Sequence, residues 1–217
     1  MRMELTDYHL EELHIATSPG HVQHIMPPVQ SSNRTILDVG CGAGQTLIAT
    51  AFEPGTTVVG VDCDKSALQL GRQLDDTICF VCAKGENLPF ETERFDFVFS
   101  RVALPYMQLN DTLSEIRRVL KTGGRVWFVL HPYSMVLREM RDALSQFKIK
   151  RAIVCLYVIG NGIVLNSVGK QFQLPFKRHY HESFQTAGGI KKLLQKAGFR
   201  DIQTERTRFF VATARKC

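Results

Sequence analysis

From Thr35 to Leu130 short apolar runs alternate with stretches whose apolar positions recur at helical spacing. That alternation predicts a β-α-β-α succession and therefore a parallel sheet. The first strand is Thr35 to Val39, followed by a helix from Gly44 to about Phe52 that stops at Pro54-Gly55. Thr57 to Asp62 is the second strand, and Asp64 caps a helix whose Ala67, Leu70 and Leu74 share a face. Thr77 to Cys82 and Phe95 to Ser100 are the third and fourth strands. A helix capped near Asp111 turns Leu113, Ile116 and Leu120 inward and ends at Gly123-Gly124, and a fifth strand, Gly124 to Leu130, is stopped by Pro132.

Outside this core the pattern loosens. Residues 1–33 hold a helical segment around Thr6 to His14, then Ser18-Pro19-Gly20 and Pro27-Pro28, which break regular structure. They are too few for a domain and read as a flap over the edge of the core, with Tyr8, His21 and His24 as its possible ligand contacts. Residues 133–184 contain an amphipathic helix (Ser134 to Phe147), an apolar run (Ala152 to Ile159), Gly160-Asn161-Gly162, and a basic, aromatic tract from Phe176 to His181. The chain closes with a helix from about Thr186, whose Ile190, Leu193, Leu194 and Ala197 face inward and which ends at Gly198. Two strands, Asp201 to Arg206 and Thr207 to Arg215, then follow almost without a break and form a hairpin. At 217 residues the whole fits one domain: a flap (1–33), a core (34–131), a cover (133–184) and a C-terminal helix and hairpin (186–217).

The candidate chemistry begins where the first strand ends, in Asp38-Val39-Gly40-Cys41-Gly42-Ala43-Gly44-Gln45-Thr46. Three glycines at alternate positions make a turn without side chains, which lets a ligand lie on the main chain, and the helix that follows favours an anionic or acceptor-rich group. A dinucleotide fingerprint spaces its glycines G-x-G-x-x-G. Here the spacing is G-x-G-x-G, Gln45 stands at the third expected glycine, and an acid precedes the first by two residues. A purely structural turn and a nicotinamide or flavin site are the alternatives. The pattern resembles the first motif of the class I S-adenosylmethionine-dependent methyltransferases. Glu86 to Phe90 and Phe95-Asp96-Phe97-Val98 are similar to a phrase of the small-molecule subgroup that includes the ubiquinone and menaquinone biosynthesis methyltransferases. The resemblance covers residues 34–131 and, more weakly, 186–215. It implies an α/β, Rossmann-like sheet of seven strands in the order 3-2-1-4-5-7-6, with strand 7 antiparallel, helices on both faces and a substrate cover inserted after strand 5.

Ligands of open parallel sheets bind outside the carboxyl ends of the strands where the order reverses. With the resemblance, that rule assigns the cofactor-binding residues. Asp38, Gly40, Cys41, Gly42, Gly44, Gln45 and Thr46 would hold the amino-acid part of S-adenosylmethionine; Asp62 would accept from two ribose hydroxyls; Cys63 would wall the adenine. Relatives carry Asp-Ala ahead of the Glu-Asn-Leu-Pro-Phe phrase, but here Lys84-Gly85 stand there, and lysine has no acceptor. Either Glu86 or a backbone carbonyl then reads the adenine amino group, with the Gly85 N–H meeting the ring. Arg101 touches the cofactor, an acidic substrate group, or only an ion-pair partner. His131 ends the fifth strand on the catalytic side and is the candidate general base, with Tyr106, Tyr133, His179 and His181 as further candidates.

Composition adds limits. The chain is 44 % hydrophobic and 22 % charged, an ordinary globular balance. Its net charge of +6 is uneven: residues 1–132 carry 11 Lys+Arg against 16 Asp+Glu, residues 133–217 carry 16 against 5. An acidic part of net −5 is thus followed by a basic part of net +11, which favours an anionic partner. Six cysteines (41, 63, 79, 82, 155 and 217) suit a reducing compartment, and Cys79 and Cys82 read as buried strand thiols on opposite faces. No metal constellation, signal core or membrane span is evident, so a cytoplasmic enzyme acting on a small molecule is expected. Its rivals are an RNA or protein methyltransferase using the basic half, and a non-catalytic cofactor-fold binding protein.

Overall fold

The computed structural model describes residues 5–174 and 181–217. Seven strands form one sheet: β1 (Thr35–Val39), β2 (Thr57–Asp62), β3 (Cys79–Cys82), β4 (Phe95–Arg101), β5 (Leu120–Leu130), β6 (Phe199–Arg206) and β7 (Phe210–Lys216). Their order is β3-β2-β1-β4-β5-β7-β6, as the resemblance implies. Strands β1 to β5 pair in parallel, while β7 runs antiparallel to both β5 and β6. From β1 the chain winds outward to β3, then returns to start β4 on the other side of β1. The order therefore reverses between β1 and β4.

Among the described residues the α-helices are α1 (Leu5–Thr17), α2 (Gln45–Ile48), α3 (Lys65–Leu74), α4 (Leu109–Val119), α5 (Tyr133–Ser145), α6 (Ile149–Val168) and α7 (Ala187–Lys196). Successive strand residues point to opposite faces, so the sheet builds a core on each. One side packs Leu37, Val39, Val98 and Phe128 against Leu113 and Ile116 of α4 and Ile190 and Leu194 of α7. The other packs Ile36, Phe97, Phe99 and Trp127 with Leu47 of α2 and Leu68 of α3. Each such fully buried side chain contributes roughly 1.5–3 kcal/mol. Asp96, in the Phe95 to Val98 phrase, accepts from the Arg34 and Thr35 N–H groups at 3.0 and 2.9 Å and pairs with Lys121 at 2.9 Å. It pins the start of β1, at the far end of the strands from their carboxyl termini.

Several elements differ from the pattern. The first helix is a single turn, because the Thr50 hydroxyl donates to the Thr46 carbonyl at 2.6 Å and the chain leaves the helix before Phe52. The inward face of α3 is Ala67, Leu68 and Gly71, whereas Leu74 is exposed. The Phe80 ring lies where a Cβ on Gly71 would be, 2.8 Å away, and this turns the helix. Cys79 and Cys82 are exposed rather than buried, since β3 is the sheet edge. Gln108, not Asp111, caps α4, its side chain accepting from the Asp111 N–H at 2.7 Å. Strand β5 begins at Leu120, before the glycine pair. The apolar run at 152–159 is the middle of α6, which continues through Gly160 and Gly162. The Phe184 ring explains the second glycine, because a Cβ there would sit 2.3 Å from it.

Candidate active site

The carboxyl ends of β1, β2, β4 and β5 bring Asp38, Asp62, Arg101 and His131 to one crevice of about 620 Å³. A second cavity of about 470 Å³ continues it past Cys63, Gly85, Glu86 and Met107. Gly40, Asp62, Ala103 and Tyr106 line both, so the glycine turn and Tyr106 stand at the junction.

Gly40, Gly42 and Gly44 all take positive φ, at 79°, 56° and 78°. At Gly40 a side chain is also excluded by space, since its Cβ would fall 2.3 Å from Ala103 Cβ. The turn is braced on β2: Gly40 and Cys41 N–H groups donate to the Val61 carbonyl at 2.7 and 3.0 Å, and the Gly42 N–H donates to Asp62 Oδ2 at 2.9 Å. Gly44 stands apart. It lies against the Phe80 ring, which a Cβ would meet at 2.6 Å, and it lines neither cavity.

The carboxylates are unequal. Asp38 is 2 % exposed and its Oδ1 has no hydrogen-bond partner. Burial pushes its pKa well above the usual carboxylate range, Arg101 opposes that, and the negative Asp62 adds to it. A cationic donor would relieve this site. Asp62 Oδ1 accepts from the Asp64 N–H at 2.9 Å, so each of its oxygens holds one backbone donor and keeps a second lone pair. Arg101 donates to Thr46 Oγ1 at 2.9 Å and pairs with Glu12 of α1 at 2.5 Å. Gln45 meets His9 Nδ1 at 2.7 Å, a second tie between α1 and the turn. Immediately after Arg101, Val102 takes φ 68°, a strained conformation for a β-branched residue.

His131 forms the far wall. It is 3 % exposed, and its Nε2 is buried without a partner. Its peptide is clamped: the His131 N–H donates to Gln185 Oε1 at 3.2 Å, and the Gln185 N–H donates to the His131 carbonyl at 2.9 Å. The Tyr106 ring meets its imidazole edge-on at 5.2 Å. Glu182 stands 3.9 Å from Nδ1, beyond hydrogen-bond reach. Burial therefore wins over the carboxylates and lowers the imidazole to about 4, with Glu139 opposing, so the ring is neutral at pH 7. Burial, aided by Glu182, pushes the Tyr106 hydroxyl up.

The other candidates divide. Tyr8 lines the crevice, and His181 the second cavity. His24 instead donates from Nδ1 to the Ile15 carbonyl at 3.0 Å, and His21 accepts from the Gln23 N–H. Tyr133 is exposed and packs near Phe184 and Arg206. The tract from Phe176 to Tyr180, with His179, lies outside the described residues. Lys84 and Glu86 both line the second cavity, where Glu86 Oε1 accepts from the Gln108 N–H at 2.9 Å. Pattern reading did not single out His9, Glu12, Met107, Arg138 or Arg208, and it placed Asp111 as a cap rather than a cavity wall. Apolar periodicity carries no signal for these, because loop and helix docking bring them in. Among the described residues no group of three or more His, Cys, Asp or Glu side chains is placed to hold a metal ion.

Comparison with known proteins agrees with the fold. Residues 37–128 match the family described as "Methyltransferase domain". A demethylmenaquinone methyltransferase of Bacillus licheniformis is 28 % identical over 180 residues, covering 78 % of this chain and 72 % of that protein. The chain spans only 24 % to 45 % of three other curated relatives, a bifunctional biotin biosynthesis protein of Cellvibrio japonicus among them. Among solved structures, a SAM-dependent methyltransferase from Methanosarcina mazei superposes with a TM-score of 0.58 at 20 % identity, over 87 % of this chain and 94 % of that one. Human N-acetylserotonin methyltransferase in complex with SAM gives 0.59 at 16 % identity, over 98 % and 53 %. At such identities the likeness is one of fold.

Proposed function

We propose, from the match of residues 37–128 to a methyltransferase domain, that the chain is a class I S-adenosylmethionine-dependent methyltransferase that transfers a methyl group to an oxygen, nitrogen or carbon of a small molecule in the crevice between β1, β4 and β5. The observation that carries this reading is Asp38: a buried carboxylate with an unpartnered oxygen, beside a glycine turn that admits no side chain. It suits a cationic amino group lying on bare backbone. Asp62, with a spare lone pair on each oxygen, accepts the two ribose hydroxyls, and charge-assisted bonds of this kind contribute roughly 1.5–3 kcal/mol each. Cys63, Gly85 and Met107 wall the adenine in the second cavity, where Glu86 and Asp111 offer the acceptors that Lys84 lacks.

S-adenosylmethionine, when bound, supplies an electrophilic methyl on a sulfonium that leaves as a neutral thioether. The protein's task is then alignment and exclusion of water, worth up to roughly 7 to 11 kcal/mol for well-oriented reactants. Tyr106 and His131, in edge-on contact, form one wall of the crevice, and Arg101, held by Thr46 and Glu12, keeps the floor in place. The unpartnered Nε2 of His131 is the acceptor in the crevice for the proton of a hydroxyl or amine substrate, although burial, which lowers the ring to about 4, weakens it as a base. Arg138 and Arg208 line the same crevice and favour an acceptor that carries an anionic group. Six free cysteines are in keeping with the reducing interior of a cell.

Titration calorimetry with S-adenosylmethionine and S-adenosylhomocysteine tests the site. The wild-type chain binds both, and Asp62→Ala weakens binding at least about tenfold, the equivalent of one lost charge-assisted bond. Equal affinity in the two proteins overturns the assignment.

A further inference from the structure

The hairpin of α5 and α6 carries an apolar surface that no described residue covers. Three residues, Gln146-Phe147-Lys148, join the two helices. Phe147 is 89 % exposed and held at φ 52°, a conformation that costs a bulky residue free energy and gains its ring no packing. Leu144 and Ile149 flank it, both exposed. Along α6 an outward stripe continues from Ile149 through Ile153, Leu156, Gly160, Ile163 and Ser167, the spacing of one helix face. No charged residue occurs between Arg151 and Val168. An ordinary outer helix face would be charged and polar.

By length and composition α6 could cross a membrane, but the fold gives it another posture. Its inner face, Ala152, Cys155, Val158 and Leu165, is buried, with Cys155 and Val158 against Val136 and Phe184. The amide of Asn161 donates to the carbonyls of His181 and Glu182, both at 3.0 Å. A helix anchored along one side and bare along the other is built to lie on a surface. The charge around the tip names that surface. Residues 133–174 carry six Lys+Arg (138, 141, 148, 150, 151 and 170) against two Asp+Glu (139 and 142). Arg141 and Arg151 have acidic neighbours, whereas Lys148 and Lys150, on either side of Ile149, have no ion-pair partner among the described residues. A second copy meeting this tip would bring two collars of like charge together. Anionic lipid headgroups complement the collar while the interface takes up the apolar tip.

We propose that the α5–α6 hairpin docks on an anionic bilayer surface, with Phe147, Leu144 and Ile149 in the headgroup and acyl boundary and Lys148 and Lys150 at the headgroups. This does not depend on the methyltransferase reading.

Co-sedimentation of the full chain with vesicles tests it. Vesicles of phosphatidylcholine containing one quarter phosphatidylglycerol pellet the protein, and pure phosphatidylcholine vesicles bind it about tenfold more weakly or less. The double variants F147S/I149S and K148E/K150E each lower binding to the anionic vesicles at least about tenfold. Their unfolding temperatures stay at the wild-type value, since the four side chains are exposed. A wild-type chain that remains in the supernatant with anionic vesicles overturns the proposal. So does a dimer, seen by light scattering, that F147S/I149S converts to monomer, because the face would then be a contact between copies.

Discussion

At the scale of single residues, His131 and Gly40 show environment overriding intrinsic preference. A histidine ordinarily titrates near 6.5; burial lowers His131 to about 4. The unfolded chain therefore takes up a proton as pH falls below about 6.5, while the folded chain resists until about 4. The stabilising contribution of the neutral buried ring is complete above that window and is lost as pH falls through it, by roughly 2–4 kcal/mol. Thermal unfolding followed from pH 7 to 4 is expected to show this loss, and His131→Asn to flatten it. The same variant is expected to lower kcat by about 10²-fold or more if the acceptor needs deprotonation; a change in KM alone would leave His131 as a wall. Gly40→Ala meets two obstacles, the positive φ and Ala103 Cβ. It should cost roughly 2–5 kcal/mol from strain and overpacking together, read from the urea midpoint.

At the scale of elements, helix α1 matters more than its place outside the sheet suggests. It is tied to the site by Glu12 to Arg101 and by His9 to Gln45. Glu12→Gln leaves a largely buried guanidinium without its counter-ion, which should loosen α1 and speed its cleavage by chymotrypsin at Tyr8, Leu10 or Leu13. Cofactor affinity should fall about three- to tenfold, because Arg101 also holds Thr46 at the turn. Unchanged cleavage and affinity would show that α1 only covers the site. Helix α2 teaches the converse. The glycine motif announces a helix, yet the helix is one turn, so in the proposed site a cradle would be made by bare backbone and two carboxylates, with little from a helix dipole. The apolar run also ends at Ile159 in the sequence, whereas α6 continues through Gly160 and Gly162. The second is a helical glycine selected by the Phe184 ring, a partner 22 positions away that no local pattern reveals.

At the scale of the whole molecule, the two proposed binding events, cofactor in the crevice and bilayer at the helical tip, should separate by salt. Binding of S-adenosylmethionine, a net cation, through short hydrogen bonds inside the proposed crevice should change less than about threefold as salt is raised. Vesicle binding through exposed lysines should fall at least about tenfold over the same range. Calorimetry and co-sedimentation in one salt series check both. Read alone, the amino-acid sequence determined the strands, the glycine turn, the acids at 38 and 62 and, through the resemblance, the strand order, because these follow from periodicity and from residues close together in the chain. It also placed the charge asymmetry. Only the tertiary structure decided that Leu68 rather than Leu74 faces inward, that Gly44 serves Phe80, that His9, Glu12 and Arg208 share a crevice with Asp38, and that the outer face of α6 is left bare. Each of these is set by which surfaces meet, and packing between distant segments leaves no period in the sequence.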